Sequence, residues 1–129
     1  MELISLQTGP GSEQVNEADG HFPLIDLGSR FDPASFRDVA AVVQNLDLVV
    51  TVDTAIAHLA GALGVRVWVA LPFAPDFRWL LDREDSPWYP TMRLFRQAER
   101  GNWKPVFQRM TAELRSLTMD RIKRSGASA

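Results

Sequence analysis

The sequence contains no cysteine and only two histidines, His21 and His58. Disulfides and thiolate metal sites are therefore excluded, and a zinc site resting on carboxylates has no ligand pattern behind it. No metal and no bound cofactor are expected. Long apolar runs are also missing, where a membrane helix needs about 20 residues. The N-terminus lacks the basic start and long apolar region of a signal peptide, so the expectation is a cytoplasmic protein. An excess of charge of one sign is absent too: 14 Lys and Arg against 16 Asp and Glu leave a formal −2. That balance gives no case for binding nucleic acid or an anionic membrane. What is present is an ordinary globular composition, 129 residues at 46% hydrophobic and 23% charged. A chain of this length can form one domain and bury about two-thirds of its unfolded surface. There is no internal repeat and no low-complexity stretch.

One stretch organises the rest. Leu48 to Val52 is a nearly unbroken aliphatic run, which predicts a strand covered on both faces. Asp53 follows as the expected N-cap of a helix whose Ile56, Leu59, Ala60 and Leu63 repeat at helical spacing and predict a core-facing stripe. Gly64 is expected to end that helix in the left-handed conformation. Thr54, His58 and Gly61 fall on another face. Ligands in open α/β sheets sit beyond the carboxyl ends of the strands, where helix N-termini offer free N–H groups. The Asp53–His58 segment is therefore the candidate site.

Around this unit the chain alternates. Leu3 to Leu6 predicts a strand, and Gln7 to Ser12 a Gly/Pro loop whose Gly-x-Gly is incomplete as a phosphate motif. Glu13 to Gly20 is a short helix or a loop, and Phe22 to Leu27 a second strand. Asp32-Pro33 is expected to open a helix with Phe36, Val39, Ala40 and Val43 buried. Arg66 to Leu71 should close a right-handed, parallel β–α–β unit. Residues 72–90 are rich in proline and aromatics, with a short helix expected near Phe77 to Leu81. Met92 to Phe95 reads as the last strand. Trp103, Phe107, Met110, Leu114 and Leu117 predict an amphipathic helix, with 118–129 as a frayed tail and 1–117 as one domain. The alternation predicts an α/β, Rossmann-like fold with a mostly parallel sheet between helical layers.

Two readings of the candidate residues stand side by side. In one, the N–H groups of residues 54 to 56 and the Thr54 hydroxyl hold a diphosphate, and His58 donates to a phosphate or sugar oxygen. In the other, Asp53 caps the helix and His58 packs at a layer edge. The two compete, because a capping carboxylate uses the donors a phosphate needs. Likewise Trp79, Trp88 and Tyr89 either stack on a base or sugar, with Arg78 or Arg83 as an anion clamp, or cover the sheet as a packed loop. No catalytic triad or carboxylate pair can be read from the spacing.

The run Asp53-Thr54-Ala55-Ile56-Ala57-His58-Leu59-Ala60-Gly61-Ala62-Leu63-Gly64 resembles the Asp-[Ser/Thr]-[Gly/Ala]-x-x-His-Leu-Ala-x-Ala-x-Gly motif of glycosyltransferase family 9 (heptosyltransferase-like) proteins. Ser5 to Pro10, Leu46 to Val69 and Asp82 to Gln97 look like the C-terminal part of bacterial tetratricopeptide-repeat proteins that carry such a domain. Within the last segment the likeness rests on Ser86-Pro87-Trp88-Tyr89-Pro90 and Arg93-Leu94-Phe95-Arg96-Gln97. The resemblance implies a GT-B architecture, in which a C-terminal Rossmann-like domain binds a nucleotide-sugar donor in a cleft facing an N-terminal domain. Carried across, Asp53, Thr54, Ala55 and His58 would line the diphosphate and sugar, with Gln7 in a neighbouring loop and Arg78, Arg83 and Trp88 toward base or sugar. The N-terminal GT-B domain, which supplies acceptor contacts and the base, and the tetratricopeptide repeats are not in this sequence. Catalytic residues and acceptor are therefore unassigned, this fragment is expected to be inactive by itself, and an uncovered sheet edge is expected to self-associate. The alternative is a Rossmann-like domain that serves protein–protein interaction without turnover.

Overall fold

A computed structural model describes residues 1–127 apart from Asp19, Ser29, Phe31 and Pro33. The described residues form two compact units, Met1–Val42 and Val43–Ala129. The first unit holds β1 (Ile4–Ser5), α1 (Glu13–Ala18), β2 (Ile25–Asp26) and most of α2 (Phe36–Val43). β1 and β2 pair in parallel, Ile4 with Ile25 and Ser5 with Asp26. Gly28 lies so close to Gln7 that a β-carbon would stand 2.0 Å from its carbonyl oxygen, so only glycine fits there.

Two expectations for α2 are corrected. Ser35, not Asp32, is the residue whose side chain caps it, accepting from the Asp38 N–H at 3.3 Å. Asp32 instead accepts from the Ala34 N–H in the turn before, and Pro33 lies outside the described residues. Val39 and Val43 are buried as expected, but Phe36 is 62% exposed. As the first residue of the helix, it has no preceding turn to hold it over the buried side.

The second unit contains β3 (Val49–Val52), α3 (Ala55–Ala62), β4 (Val67–Leu71), a single 3-10 turn at Phe77–Trp79, β5 (Met92–Arg96) and α4 (Lys104–Ala127). Its sheet is parallel throughout, in the order β3-β4-β5, and Val50 registers with Trp68, which in turn registers with Arg93. Every residue of β4 is buried, as the continuous apolar run of a central strand requires. On one face, Trp68, Ala70 and Phe95 pack against Val106 and Met110 of α4, with Leu48, Trp103, Leu114 and Leu117 around them. α3 contacts β3 and β4 and shares no residue with that cluster, so it covers the other face. The chain is thus α/β and Rossmann-like, built of parallel strands flanked by helices.

In this unit burial departs from the sequence pattern on β3, α3 and α4. β3 is an edge strand of its sheet, and Val50 and Val52 are about half exposed, not covered on both faces. The face that α3 buries is Ala57, Ala60 and Gly61, while Ile56, Leu59 and Leu63 are only half-buried. Small residues let the helix axis lie close to its neighbours, which pushes the larger side chains to the flanks. On α4, Val106 takes the buried place expected for Phe107, which is 51% exposed and rests against Trp103. The helix also continues through residues 118–127, where a frayed tail is expected. Those last turns are largely exposed and bury no apolar stripe. Met119, Arg121, Lys123 and Arg124 there are good helix formers, and Arg121 reaches Asp47 at 2.9 Å.

Candidate functional site

Asp53 follows β3, and the Asp76–Arg78 segment lies in the loop that follows β4, so both come off the carboxyl ends of adjacent parallel strands. Asp53 does not cap α3. The N-cap is Thr54, in extended conformation, and no side chain caps the helix. The reading in which Asp53 occupies the first-turn N–H groups is thereby corrected: those donors have no side-chain cap. The Thr54 hydroxyl lies 3.1 Å from the Thr51 hydroxyl and donates to the Val52 carbonyl at 3.4 Å, while Ala55 opens the helix beside it and is exposed. At the far end, Gly64 takes φ 73° and completes the expected stop, its N–H on the Gly61 carbonyl and that of Val65 on the Ala60 carbonyl.

His58 is the hub. Its Nδ1 is 3.2 Å from the Tyr89 hydroxyl, and its Nε2 is 3.1 Å from Arg78 Nη1 and 3.6 Å from Asp53 Oδ1. Its ring stacks on Trp79, with centroids 5.4 Å apart and planes at 22°. Arg78 is held from the other side by Asp76, with Nε to Oδ1 at 3.0 Å and Nη2 to Oδ2 at 3.4 Å. The same carboxylate accepts the Arg78 backbone N–H at 3.1 Å. That backbone bond, followed by the guanidinium, holds the Asp76 carboxyl below its ordinary range, and the Asp76 carboxylate raises Arg78 in turn. His58 and Asp53 are each about one-third exposed, so the cluster is open to solvent on one side.

The loop that carries these groups is tied down at several points. Arg96 donates to the carbonyls of Arg83, at 2.9 Å, and Trp79. The buried Gln97 amide oxygen accepts from the N–H groups of Phe73 at 3.0 Å and Gly101 at 3.2 Å. The Trp88 indole, 64% exposed, donates Nε1–H to the Arg78 carbonyl at 3.0 Å, which fixes an exposed aromatic face next to the cluster. Trp79 is fully buried, and its Nε1 has no hydrogen-bond partner among the described residues.

The structure thus brings Asp53, Thr54, Ala55, His58 and Arg78 together, with Trp88 bonded to the Arg78 carbonyl. It does not bring in Arg83, whose guanidinium pairs with Asp85 at 2.7 and 2.8 Å. Gln7 belongs to the first unit, where its N–H donates to Ser5 Oγ. Asp76, Trp79 and Tyr89 complete the environment of His58 and Arg78. The sequence singles out Trp79 and Tyr89 as aromatics that either stack on a ligand or pack as a loop, while an aspartate two residues before an arginine is no signal by itself. Among the described residues, no group of three or more His, Cys, Asp or Glu could hold a metal ion. No helix among them is long and apolar enough to cross a membrane.

A parallel α/β unit with polar groups gathered at the carboxyl ends of its strands has the form of a ligand-binding domain. Residues 31–71, which include α2, β3, α3 and β4, match glycosyltransferase family 9 (heptosyltransferase). The chain is also 35% identical over 120 residues to protein FlbA of Caulobacter vibrioides, an alignment that covers 88% of this chain and 19% of that protein. Both findings support a glycosyltransferase family 9-like domain. The chain spans about a fifth of the length of the curated relative it matches. No solved structure matches it.

Proposed function

We propose that this chain is the nucleotide-sugar-binding part of a glycosyltransferase-like protein, the C-terminal half of a GT-B architecture, and that the diphosphate sits at the start of α3. The observation that carries this reading is the uncapped first turn of α3 with His58 and Arg78 beside it. Free N–H donors, a helix dipole and a guanidinium are what a diphosphate needs. The family match, which spans Asp53 to His58, supports the same assignment. In this reading the N–H groups of Thr54, Ala55 and Ile56 meet phosphate oxygens. Asp53, a carboxylate, repels phosphate and so accepts from a hydroxyl of the sugar. Trp88 offers its exposed face to base or sugar. No metal is required, and the protein works in the cytoplasm, as part of a longer chain with tetratricopeptide repeats.

Transfer is a separate matter. Attack at the anomeric carbon needs an acceptor and a base held about 3–3.5 Å from reaction, a positioning term of roughly 7–11 kcal/mol. We propose that a facing domain supplies both, so this chain alone transfers no sugar. Titration with nucleoside diphosphates and their sugars, followed by amide NMR, tests binding: shifts should centre on residues 53–58 and 76–89. If none shift, the second reading gains, in which the same fold serves protein–protein interaction without turnover. Incubation with donor and acceptor panels should give background hydrolysis only, and glycosylation that survives repurification would overturn the inactivity.

A further inference from the structure

The contacts of His58 assign its proton. Arg78 can only donate, so His58 Nε2, 3.1 Å from Arg78 Nη1, is the acceptor. The ring proton of neutral His58 then sits on Nδ1 and is donated to the Tyr89 oxygen at 3.2 Å. Arg78 cannot turn away freely, because Nε and Nη2 are engaged by Asp76, itself fixed by the Arg78 N–H. In this arrangement Nε2 carries no hydrogen, and His58 has nothing to donate to an anion.

An oxyanion arriving between the two side chains changes that count. Arg78 Nη1 turns its hydrogen onto the anion, and Nε2 loses its donor. To bond the same anion, His58 must take a proton from solvent at Nε2, while Nδ1–H stays on Tyr89. Asp53 Oδ1 also faces this nitrogen, at 3.6 Å. Trp79, stacked on the ring, has no titrating group, so among the described residues Asp53, Arg78 and Tyr89 are the charged or titratable side chains facing His58.

We propose that Arg78 and His58 form a proton-coupled grip for a phosphate-like oxyanion, one proton entering at His58 Nε2 as the anion binds, with Asp76 and Tyr89 as positioning residues. The proposal rests on the donor-binding reading and adds to it a dependence on pH and two residues that touch no ligand. Affinity should therefore rise as pH falls.

Sulfate is a suitable probe because it does not itself titrate near neutrality. The full chain is titrated with sulfate against chloride of matched ionic strength from pH 5.5 to 8.5, reading the amides of residues 54–57 and the imidazole nitrogens of His58. The expected result is a Kd that falls by up to about tenfold per pH unit of acidification, the limit for one coupled proton. Nε2 should move to its protonated position when sulfate is added. His58→Gln should abolish the pH dependence, and His21→Gln should keep it. Asp76→Asn should weaken binding at every pH, and Tyr89→Phe should redistribute the His58 tautomers in the nitrogen spectrum without unfolding the protein. Sulfate binding at residues 54–57 with a pH-independent Kd overturns the proton coupling and leaves the donor site standing. No sulfate-dependent shift at these residues overturns the donor site and the grip together.

Discussion

Gly61 lies against the ring of Tyr89 so closely that a β-carbon on it would stand 2.5 Å from Tyr89 Cγ. The glycine is what lets Tyr89 reach His58, 31 residues away in sequence. Gly61→Ala should therefore destabilise the protein by about 1–3 kcal/mol, the usual cost of overpacking. The alanine's gain in helix propensity, about 0.5–1 kcal/mol, is smaller. Denaturant unfolding measures the loss, and the nitrogen spectrum of His58 should change with it. An unchanged midpoint and spectrum would show that Tyr89 can move aside.

Leu59 and Leu71 separate a flank position from a core one. Leu71 is fully buried at the end of β4, and Leu71→Ala should cost about 2–5 kcal/mol. Leu59 is only half-buried on α3, so Leu59→Ala should cost about 1–2 kcal/mol, scaled to the smaller area it covers. Paired urea titrations decide the matter. Equal losses would mean that α3 buries Leu59 more deeply than its exposure indicates.

The edge of the sheet should make the chain self-associate. β3 is unpaired on one side within its sheet, and its Val50 and Val52 are 53% and 50% exposed. Exposed apolar edge strands recruit other chains. Sedimentation over a concentration series should show association that Val50→Lys with Val52→Lys suppresses. A wild-type monomer at millimolar concentration contradicts this.

Acid should weaken the loop and α4 attachments before the core. Arg93, paired with Glu113 at 3.0 Å, holds the Glu113 carboxyl below its ordinary range through a hydrogen bond and its charge. Arg83 does the same for Asp85. A carboxyl lowered in the folded state contributes stability above its unfolded pKa and loses it as pH falls through the folded value. The loss should therefore fall below about pH 4, where carboxylates protonate. Both groups are exposed, so the effect is small. Arg93→Ala should flatten the acid limb of a stability–pH profile and leave the neutral region nearly parallel to wild type.

Much was legible without coordinates, because local rules act on local sequence. The strand over 49–52, the helix after it, the glycine stop at Gly64, the buried run of β4 and the long final helix each depend on neighbours within a turn or two. Those elements dictate the parallel α/β order, and the Asp53–His58 motif marks where a ligand should be sought. What the sequence could not decide was which side of each element is covered and what each polar group pairs with. Whether Asp53 caps a helix or faces His58 is a choice among rotamers, and His58 is in turn held by Arg78, twenty residues away. Whether α3 buries Leu59 or Gly61 depends on Tyr89, and the exposure of Val50 depends on how far α4 reaches across the sheet. Periodicity records that a residue is apolar and not what arrives to cover it. Only the tertiary structure supplies the arriving partner, because packing is decided between segments distant in sequence.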